Sequence, residues 1–108
     1  MVKSITLIKR KPGISRDEFI RHYEDVHVPL SLKHFCFKRY VRNYIIPPDV
    51  EDAQYDCITE IWYDNWAEYH ECIKFWQSET GHELRTDEHI FMDRGKSVYF
   101  LVEESPEI

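Results

Sequence analysis

Positive charge is scarce in this 108-residue chain, which has 14 Lys and Arg residues against 20 Asp and Glu residues. Proteins that bind nucleic acid or anionic lipid rely on clustered positive charge. With a formal net charge of −6, we therefore expect neither partner. No apolar run comes near the roughly 20 residues that cross a bilayer, so we expect no membrane span. The first residues also lack the extended apolar stretch of a signal peptide.

Cysteine and glycine are equally scarce, with three residues of each. Cys36, Cys57 and Cys72 are odd in number, widely spaced and outside any CxxC motif, which predicts free thiols in a reducing, cytoplasmic compartment. The sequence has no glycine-rich loop to cradle a phosphate and no GxSxG motif of a serine hydrolase. Its histidines lack the spacing of metal ligands, so we expect no metal site.

Aromatic residues, by contrast, make up 15% of the chain. A domain of this length buries roughly 60–70% of its unfolded surface, so this many large rings need a further surface against which to pack. We expect a subunit interface, a pocket for a flat apolar ligand, or both.

Hydrophobic periodicity predicts one domain over residues 1–108 with the order β-α-β-β-α-β, an α+β fold of the ferredoxin-like type. Its strands form one four-stranded antiparallel sheet. They are predicted over Val2–Arg10, Lys38–Ile46, Gln54–Tyr63 and Ser97–Glu103. Asn65 has the spacing of a cap for the second helical segment, and Ser78 or Thr80 is expected to start another short helix that reaches Phe91.

The first helix is marked at both ends. Ser15 and Glu18 have the spacing of a capping box, and Pro29 predicts a break near residues 27–28. Between them, apolar residues recur on one helical face. This stripe consists of Phe19, Tyr23, Val26 and Leu30.

Both helical segments are expected on one face of the sheet, which leaves the opposite face uncovered. That face is predicted to hold Ile5, Leu7, Val41, Ile45, Ile58 and Trp62. Burying about six such side chains, at ~1.5–3 kcal/mol each, favours a homodimer closed sheet against sheet. Asp56 and Glu60 share this face, and we expect Arg39 or Lys9 to pair with them across the interface.

His27 is the leading candidate for a catalytic residue. It lies at the border of the apolar stripe and beside the predicted break, where backbone carbonyls lack partners. A half-buried histidine in such a position suits a general base. Alternatively, His27 only binds the freed carbonyls and shapes the break. Asp87 or Glu88 could orient it, or could orient His89 instead.

The strand row Tyr40, Arg42 and Tyr44 is the second candidate, and we expect it to face the helices. The facing rows of the neighbouring strands contain Ser4, Thr6, Tyr55, Cys57 and Thr59. Aromatic walls with scattered hydroxyls suit a flat, oxygenated ligand. Alternatively, the tyrosines are ordinary strand formers and Cys57 is a buried, inert thiol.

Two segments carry a recognisable pattern: Lys9–Phe19 (KRKPGISRDEF) and His22–Leu30 (HYEDVHVPL), whose VHxPL-type portion is the most specific. Further matches are Arg39–Tyr44, Tyr55–Asp56, Glu60–Trp62, Asp87–Glu88, Phe91 and Asp93–Arg94. Over nearly the whole chain, these segments resemble the EthD-like family of the dimeric α+β-barrel superfamily.

The resemblance implies a dimeric α+β barrel with a site between helices and sheet that needs no cofactor and handles enolisable or hydroxylated rings. By position, His27 matches the histidine of the VHxPL-type segment and Tyr40 the recurring strand tyrosine, which implies catalytic roles for both. We further expect neighbouring residues to contact the substrate. These are Thr6, Arg42, Tyr44, Cys57, Thr59, His89 and Phe91.

We therefore expect a cofactor-independent lyase, cyclase or isomerase that acts on a small aromatic or polyketide-like, enolisable substrate. His27 would move the proton, and Tyr40 would donate a hydrogen bond to the developing oxyanion. One alternative is a non-catalytic protein that binds a hydrophobic small molecule, or an accessory protein in a catabolic or biosynthetic pathway. Another is the handling of haem, which the resemblance to the superfamily also implies.

Overall fold

The computed structural model describes residues 1–33, 36–47, 53–105 and 107–108. Its elements follow the predicted order, with slightly shorter strands, and confirm the α+β fold. They are β1 (Val2–Ile8), α1 (Arg16–His22), a π-helical turn (Tyr23–His27), α2 (Val28–Leu32), β2 (Arg39–Tyr44), β3 (Cys57–Tyr63), α3 (Trp66–Gln77), a 3₁₀ turn (Glu79–Gly81), α4 (His82–Phe91) and β4 (Val98–Val102). Within the described residues, no helix has the length and apolar character needed to cross a membrane.

The strands form one antiparallel sheet in the order β2-β3-β1-β4. Thr6 in β1 lies opposite Thr59 in β3 and Tyr99 in β4, so these three side chains share one face. The helices pack on this face. Ile8 and Cys57, which lie in the same rows, are almost completely buried beneath them.

Side-chain caps fix where α1 and α3 begin, as predicted. Ser15 Oγ accepts the backbone N–H of Glu18 at 3.1 Å, and the Glu18 carboxylate accepts the N–H of Ser15 at 3.1 Å. Asn65 Oδ1 accepts the N–H of Glu68 at 2.9 Å. Because a cap of this kind contributes about 1 kcal/mol, both starting points are set locally.

The predicted break before Pro29 is wrong, because the chain stays helical over residues 16–32. The π-helical turn precedes the proline, and the N–H of Val28 bonds the carbonyl of Tyr23, one residue further back than in an α-helix. Pro29 then lies in the first turn of α2, directly after this wider turn.

The wider turn also changes which side chains face the sheet. Phe19 and Tyr23 are buried as predicted, but Val26 is 41% exposed and His27 only 7% exposed. The expected apolar stripe is therefore wrong at Val26. His27 takes the inward position, which moves it from the border of the stripe into the interior.

The face turned away from the helices is largely apolar. Its members Ile5, Leu7, Val41 and Ile58 are only partly buried, and Phe100 is 47% exposed. Trp62 also lies on this face, but it is buried within the chain. Its ring lies between the Lys3 ammonium and the Arg39 guanidinium, each 4.5 Å from the ring centroid.

Asp56 and Glu60 find their partners inside the same chain, so the expected pairing across an interface is corrected. Glu60 lies 2.7 Å from Lys3 Nζ, and Asp56 lies 3.5 Å from Lys9 Nζ. Asp56 also accepts the backbone N–H of Arg10 at 2.8 Å. These pairs form because the antiparallel register brings β1 beside β3.

Cys36 and Cys72 form a disulfide, with Cα atoms 5.6 Å apart. The prediction of free thiols is therefore wrong for these two residues, which are 36 positions apart in sequence and become neighbours only in the fold. Cys57 is free and buried. The disulfide joins the segment before β2 to α3, while the cytoplasmic location stays a prediction from the sequence.

Gly81 lies where the 3₁₀ turn meets α4. A Cβ atom there would lie 2.5 Å from the carbonyl oxygen of Trp76, and even closer to that of Phe75. Because these neighbours are backbone atoms, a methyl group forces α3 and α4 apart. We expect Gly81→Ala to lower the free energy of unfolding by about 1–3 kcal/mol, measured by urea denaturation.

Gly95→Ala is the matched control for this measurement. A Cβ atom at Gly95 would meet Asp93 Oδ1 at 3.6 Å, an ordinary contact. This variant should be close to the wild type in stability. A Gly81→Ala protein as stable as the wild type would contradict the crowding argument.

Candidate functional site

A cavity of about 510 Å³ lies between the sheet and the helices. Its lining mixes aromatic rings with many hydroxyl groups. The hydroxyls belong to Ser4, Thr6, Tyr23, Ser31, Tyr40, Thr59, Tyr63, Tyr69, Ser97 and Tyr99. The volume and the mixed lining are typical of a small-molecule site.

His27 lines this cavity and is fixed from behind by Asp87. The His27 Nδ1 atom lies 2.9 Å from Asp87 Oδ2, and His22 Nε2 lies 2.8 Å from Asp87 Oδ1. Because a carboxylate only accepts, it holds the proton of His27 on Nδ1. The lone pair of the neutral ring is then on Nε2, the nitrogen that suits a base.

Burial lowers the pKa of His27 below its usual value near 6.5, and this effect exceeds that of the hydrogen bond to Asp87, which raises the pKa. The charged imidazolium is disfavoured because it loses its hydration in the interior. His27 is therefore neutral at neutral pH. A neutral imidazole held in one orientation can accept a proton from a bound ligand.

A chain of hydrogen-bonded hydroxyl groups lies in the cavity lining near His27. Tyr40 Oη donates to Tyr23 Oη at 2.8 Å, and Tyr23 Oη lies 2.8 Å from Thr59 Oγ1. The ring centroids of Tyr23 and His27 are 5.6 Å apart. Burial raises the pKa of both tyrosines, so their hydroxyls stay protonated and can donate hydrogen bonds.

Four of the predicted site residues come together in the cavity lining. These are Thr6, His27, Tyr40 and Thr59. They come from three different strands and the π-helical turn, which the register and the helix packing bring to one place.

Arg42 and Tyr44 lie beside the cavity but outside its lining. Both contact Glu24, whose carboxylate accepts Arg42 Nη2 at 2.8 Å and Nε at 2.9 Å, and also accepts the Tyr44 hydroxyl. The ion pair keeps the pKa of Glu24 below its usual value. This cluster fastens the π-helical turn to β2.

Cys57, Phe91 and His89 also lie outside the lining. Cys57 is fully buried in the core, and burial raises its pKa to about 12, which leaves an unreactive thiol. Phe91 packs behind His27, with ring centroids 5.0 Å apart. His89 is exposed, because α4 turns the opposite face, with Asp87 and Phe91, toward the core.

The sequence left the partner of His27 open between two carboxylates, and the structure assigns it to Asp87. Tyr23, which the sequence placed only in the apolar stripe, links Tyr40 to Thr59. Glu88 and Arg94 line the cavity as well. The spacing of Leu84, Asp87 and Phe91 on one face of α4 is the signal that could have revealed Asp87 as an inward residue.

Comparison with protein families matches the EthD domain over residues 11–95. The chain belongs to the EthD family. The matched EthD region holds the π-helical turn, β2, β3 and α4, and thus both His27 and Asp87. Curated proteins yield no match.

Solved structures share the fold at low sequence identity. The chain is 23% identical to an ethyl tert-butyl ether D (EthD) family protein from Bacillus halodurans C-125, with a TM-score of 0.71 over 97% of this chain and 99% of that one. The chain is 12% identical to HapK from Hahella chejuensis, with a TM-score of 0.67 over 100% of this chain and 98% of that one. It is 10% identical to a dimeric protein with a ferredoxin-like fold from Bacteroides fragilis NCTC 9343, with a TM-score of 0.65 over 95% of this chain and 95% of that one.

We expect Asp87→Asn to lower the pKa of His27 further, because it removes the carboxylate that stabilises the imidazolium. NMR titration of the His27 ring measures this pKa directly. Glu83→Gln, which removes an exposed carboxylate on the same helix, should leave it unchanged. An unchanged or raised pKa in Asp87→Asn would show that Asp87 does not support the charged ring.

Proposed function

We propose that this EthD protein is a cofactor-independent enzyme that moves a proton on a small aromatic or polyketide-like, enolisable substrate. Lyase, cyclase and isomerase reactions share this step. The observation that supports it best is the pairing of His27 with Asp87 at 2.9 Å at the wall of a 510 Å³ cavity. EthD membership supports the coarser statement of a small-molecule-binding or enzyme-like domain.

The proposed step begins with His27 Nε2 as the base. It removes a proton from the carbon next to a substrate carbonyl, and the electrons of the C–H bond form an enolate. Asp87 holds the ring in the correct tautomer and stabilises the imidazolium that results. The same imidazolium returns a proton to carbon or to a leaving group, which restores the neutral base.

Tyr40 is proposed to donate a hydrogen bond to the enolate oxygen. Its hydroxyl belongs to the chain through Tyr23 to Thr59, and hydroxyl protons can reorient, so the chain can release the Tyr40 proton toward a ligand. Such a donor contributes up to ~3–4 kcal/mol to transition-state stabilisation. The surrounding rings position a flat substrate and exclude water.

Proton exchange tests the proposed step without knowledge of the natural substrate. 2-Tetralone, a bicyclic aromatic ketone, should exchange its enolisable protons in D₂O faster with the wild type than without protein, as measured by NMR. We expect His27→Gln to lower the catalysed rate by at least about tenfold, and Tyr40→Phe to lower it by a similar factor.

His70→Gln is the control for the loss of a histidine, because His70 is exposed on α3. It should leave the exchange rate unchanged. If 2-tetralone binds but no exchange is catalysed, the proposal of an enzyme is wrong for this class of ligand. That result would favour the second candidate, a protein that binds a hydrophobic small molecule, which the same lining supports.

We also propose that the chain forms a homodimer through the face of the sheet turned away from the helices. The apolar residues there are only partly buried, and burial of apolar surface drives association. The Bacteroides fragilis structure described above is of a dimeric protein, which supports this proposal.

Light scattering after size-exclusion chromatography measures the association. Phe100→Arg places a charge on the proposed interface and should shift the dimer toward a monomer. Ile90→Arg, at a residue that is 57% exposed on α4, should leave the dimer intact. A wild type that is monomeric at micromolar concentration would contradict the proposal.

A further inference from the structure

The cavity lining contains a charged pair, Glu88 and Arg94, that the proposed proton transfer does not use. Arg94, in the loop between α4 and β4, lines the cavity with a side chain that is 37% exposed. Among the described lining residues it is the single Lys or Arg, and Glu88 is the single Asp or Glu. His27 is neutral, so Arg94 supplies the positive charge of the lining.

The guanidinium of Arg94 is held in place from two sides. Arg94 Nη1 donates to Glu88 Oε1 at 2.5 Å, and the second oxygen of Glu88 accepts Trp76 Nε1 at 2.8 Å. The guanidinium also lies 5.5 Å from the centroid of the Trp76 ring. Since arginine has five N–H donors, this arrangement fixes the group and leaves most of its donors for a ligand.

Arg85 also lies next to the Trp76 ring, but its contacts are those of a structural residue. Its guanidinium lies 5.9 Å from the Trp76 ring centroid, but it donates to the backbone carbonyls of Trp76 and Ser78 at the end of α3. It is outside the cavity lining. Arg94, by contrast, faces the cavity and donates to a side chain.

We infer that Arg94 binds a carboxylate carried by the ring substrate, with Glu88 and Trp76 holding the guanidinium in place. The planar fork of arginine matches a carboxylate in a bidentate geometry. This inference rests on the proposed function, because it places the ring of the same ligand beside His27. It adds that the substrate is an aromatic or polyketide-like carboxylic acid.

The charge balance favours a single negative charge over a phosphate. Glu88 already offsets the one guanidinium, and the whole chain has a formal net charge of −6. A phosphate dianion needs more positive charge than the single arginine among the described lining residues offers. A carboxylate monoanion can share the arginine with Glu88.

Two probes of nearly equal shape isolate the contribution of the carboxylate. 2-Naphthoate carries it, and 2-acetylnaphthalene replaces it with a neutral methyl ketone. Their dissociation constants are measured by calorimetry at low salt and neutral pH. We expect the wild type to bind 2-naphthoate about tenfold more tightly, the usual effect of a charged hydrogen bond.

Three variants test the role of Arg94 itself. Arg94→Gln should weaken the binding of 2-naphthoate about tenfold and change the dissociation constant of 2-acetylnaphthalene by no more than about twofold. Glu88→Gln keeps an amide oxygen that can accept the Arg94 guanidinium but removes the competing negative charge, so it should strengthen the binding of 2-naphthoate, whereas a purely structural pair would weaken the binding of both probes. Arg21→Gln removes a charge from the exposed surface of α1 and should change neither constant.

The outcomes separate this inference from the proposed function. If both probes bind the wild type equally well, the ring site stands and the carboxylate inference is overturned. If Arg94→Gln weakens both probes alike, Arg94 is structural and the inference is again overturned. If neither probe binds, the cavity does not take aromatic rings, and the proposed function fails together with the inference.

Discussion

The hydrogen bond between His27 and Asp87 is the interaction on which the candidate site depends. It joins two helical segments that are 60 residues apart in sequence. The π-helical turn rotates the imidazole inward, and α4 must lie at the right depth for the carboxylate to reach Nδ1. Gly81 permits this depth, because any side chain there would push α4 away from the end of α3.

Two opposing effects act on the imidazole at this position. Burial disfavours the charged ring, and the hydrogen bond to the Asp87 carboxylate favours it. Burial is the larger effect, since the pKa of His27 is lowered. The result is an oriented neutral base in the interior, while the permanent positive charge, Arg94, is placed where water still reaches it.

Much of the fold follows from local sequence signals. Ser15 and Asn65 mark the helix starts through caps that form within one turn, and alternation along the strands assigns the rows that face the helices. The sequence indicates His27 by its place at the border of the apolar stripe and beside the expected break, and by the VHxPL-type segment. Its burial could not be predicted, because an α-helical period places Val26 inward and only the π-helical turn reverses the two.

The remaining differences come from contacts between distant parts of the chain. Glu24 competes with any ligand for Arg42 and Tyr44. This contact could not be predicted, because sequence periodicity does not reveal which strand packs beneath a helix. The disulfide between Cys36 and Cys72 depends on the same kind of placement. Such pairings are decided by the tertiary arrangement, which local patterns do not encode.

The hydroxyl lining has a consequence for how this scaffold can change its chemistry. A hydroxyl group switches between hydrogen-bond donor and acceptor by rotating one bond. Thr6, Tyr23 and Thr59 can therefore form hydrogen bonds with ligands that carry their oxygen atoms at different positions, without any heavy atom moving. The net charge of the cavity lining stays the same when a different ligand binds. A new binding preference can therefore evolve through substitutions at the rim alone, with the pairing of His27 and Asp87 left unchanged.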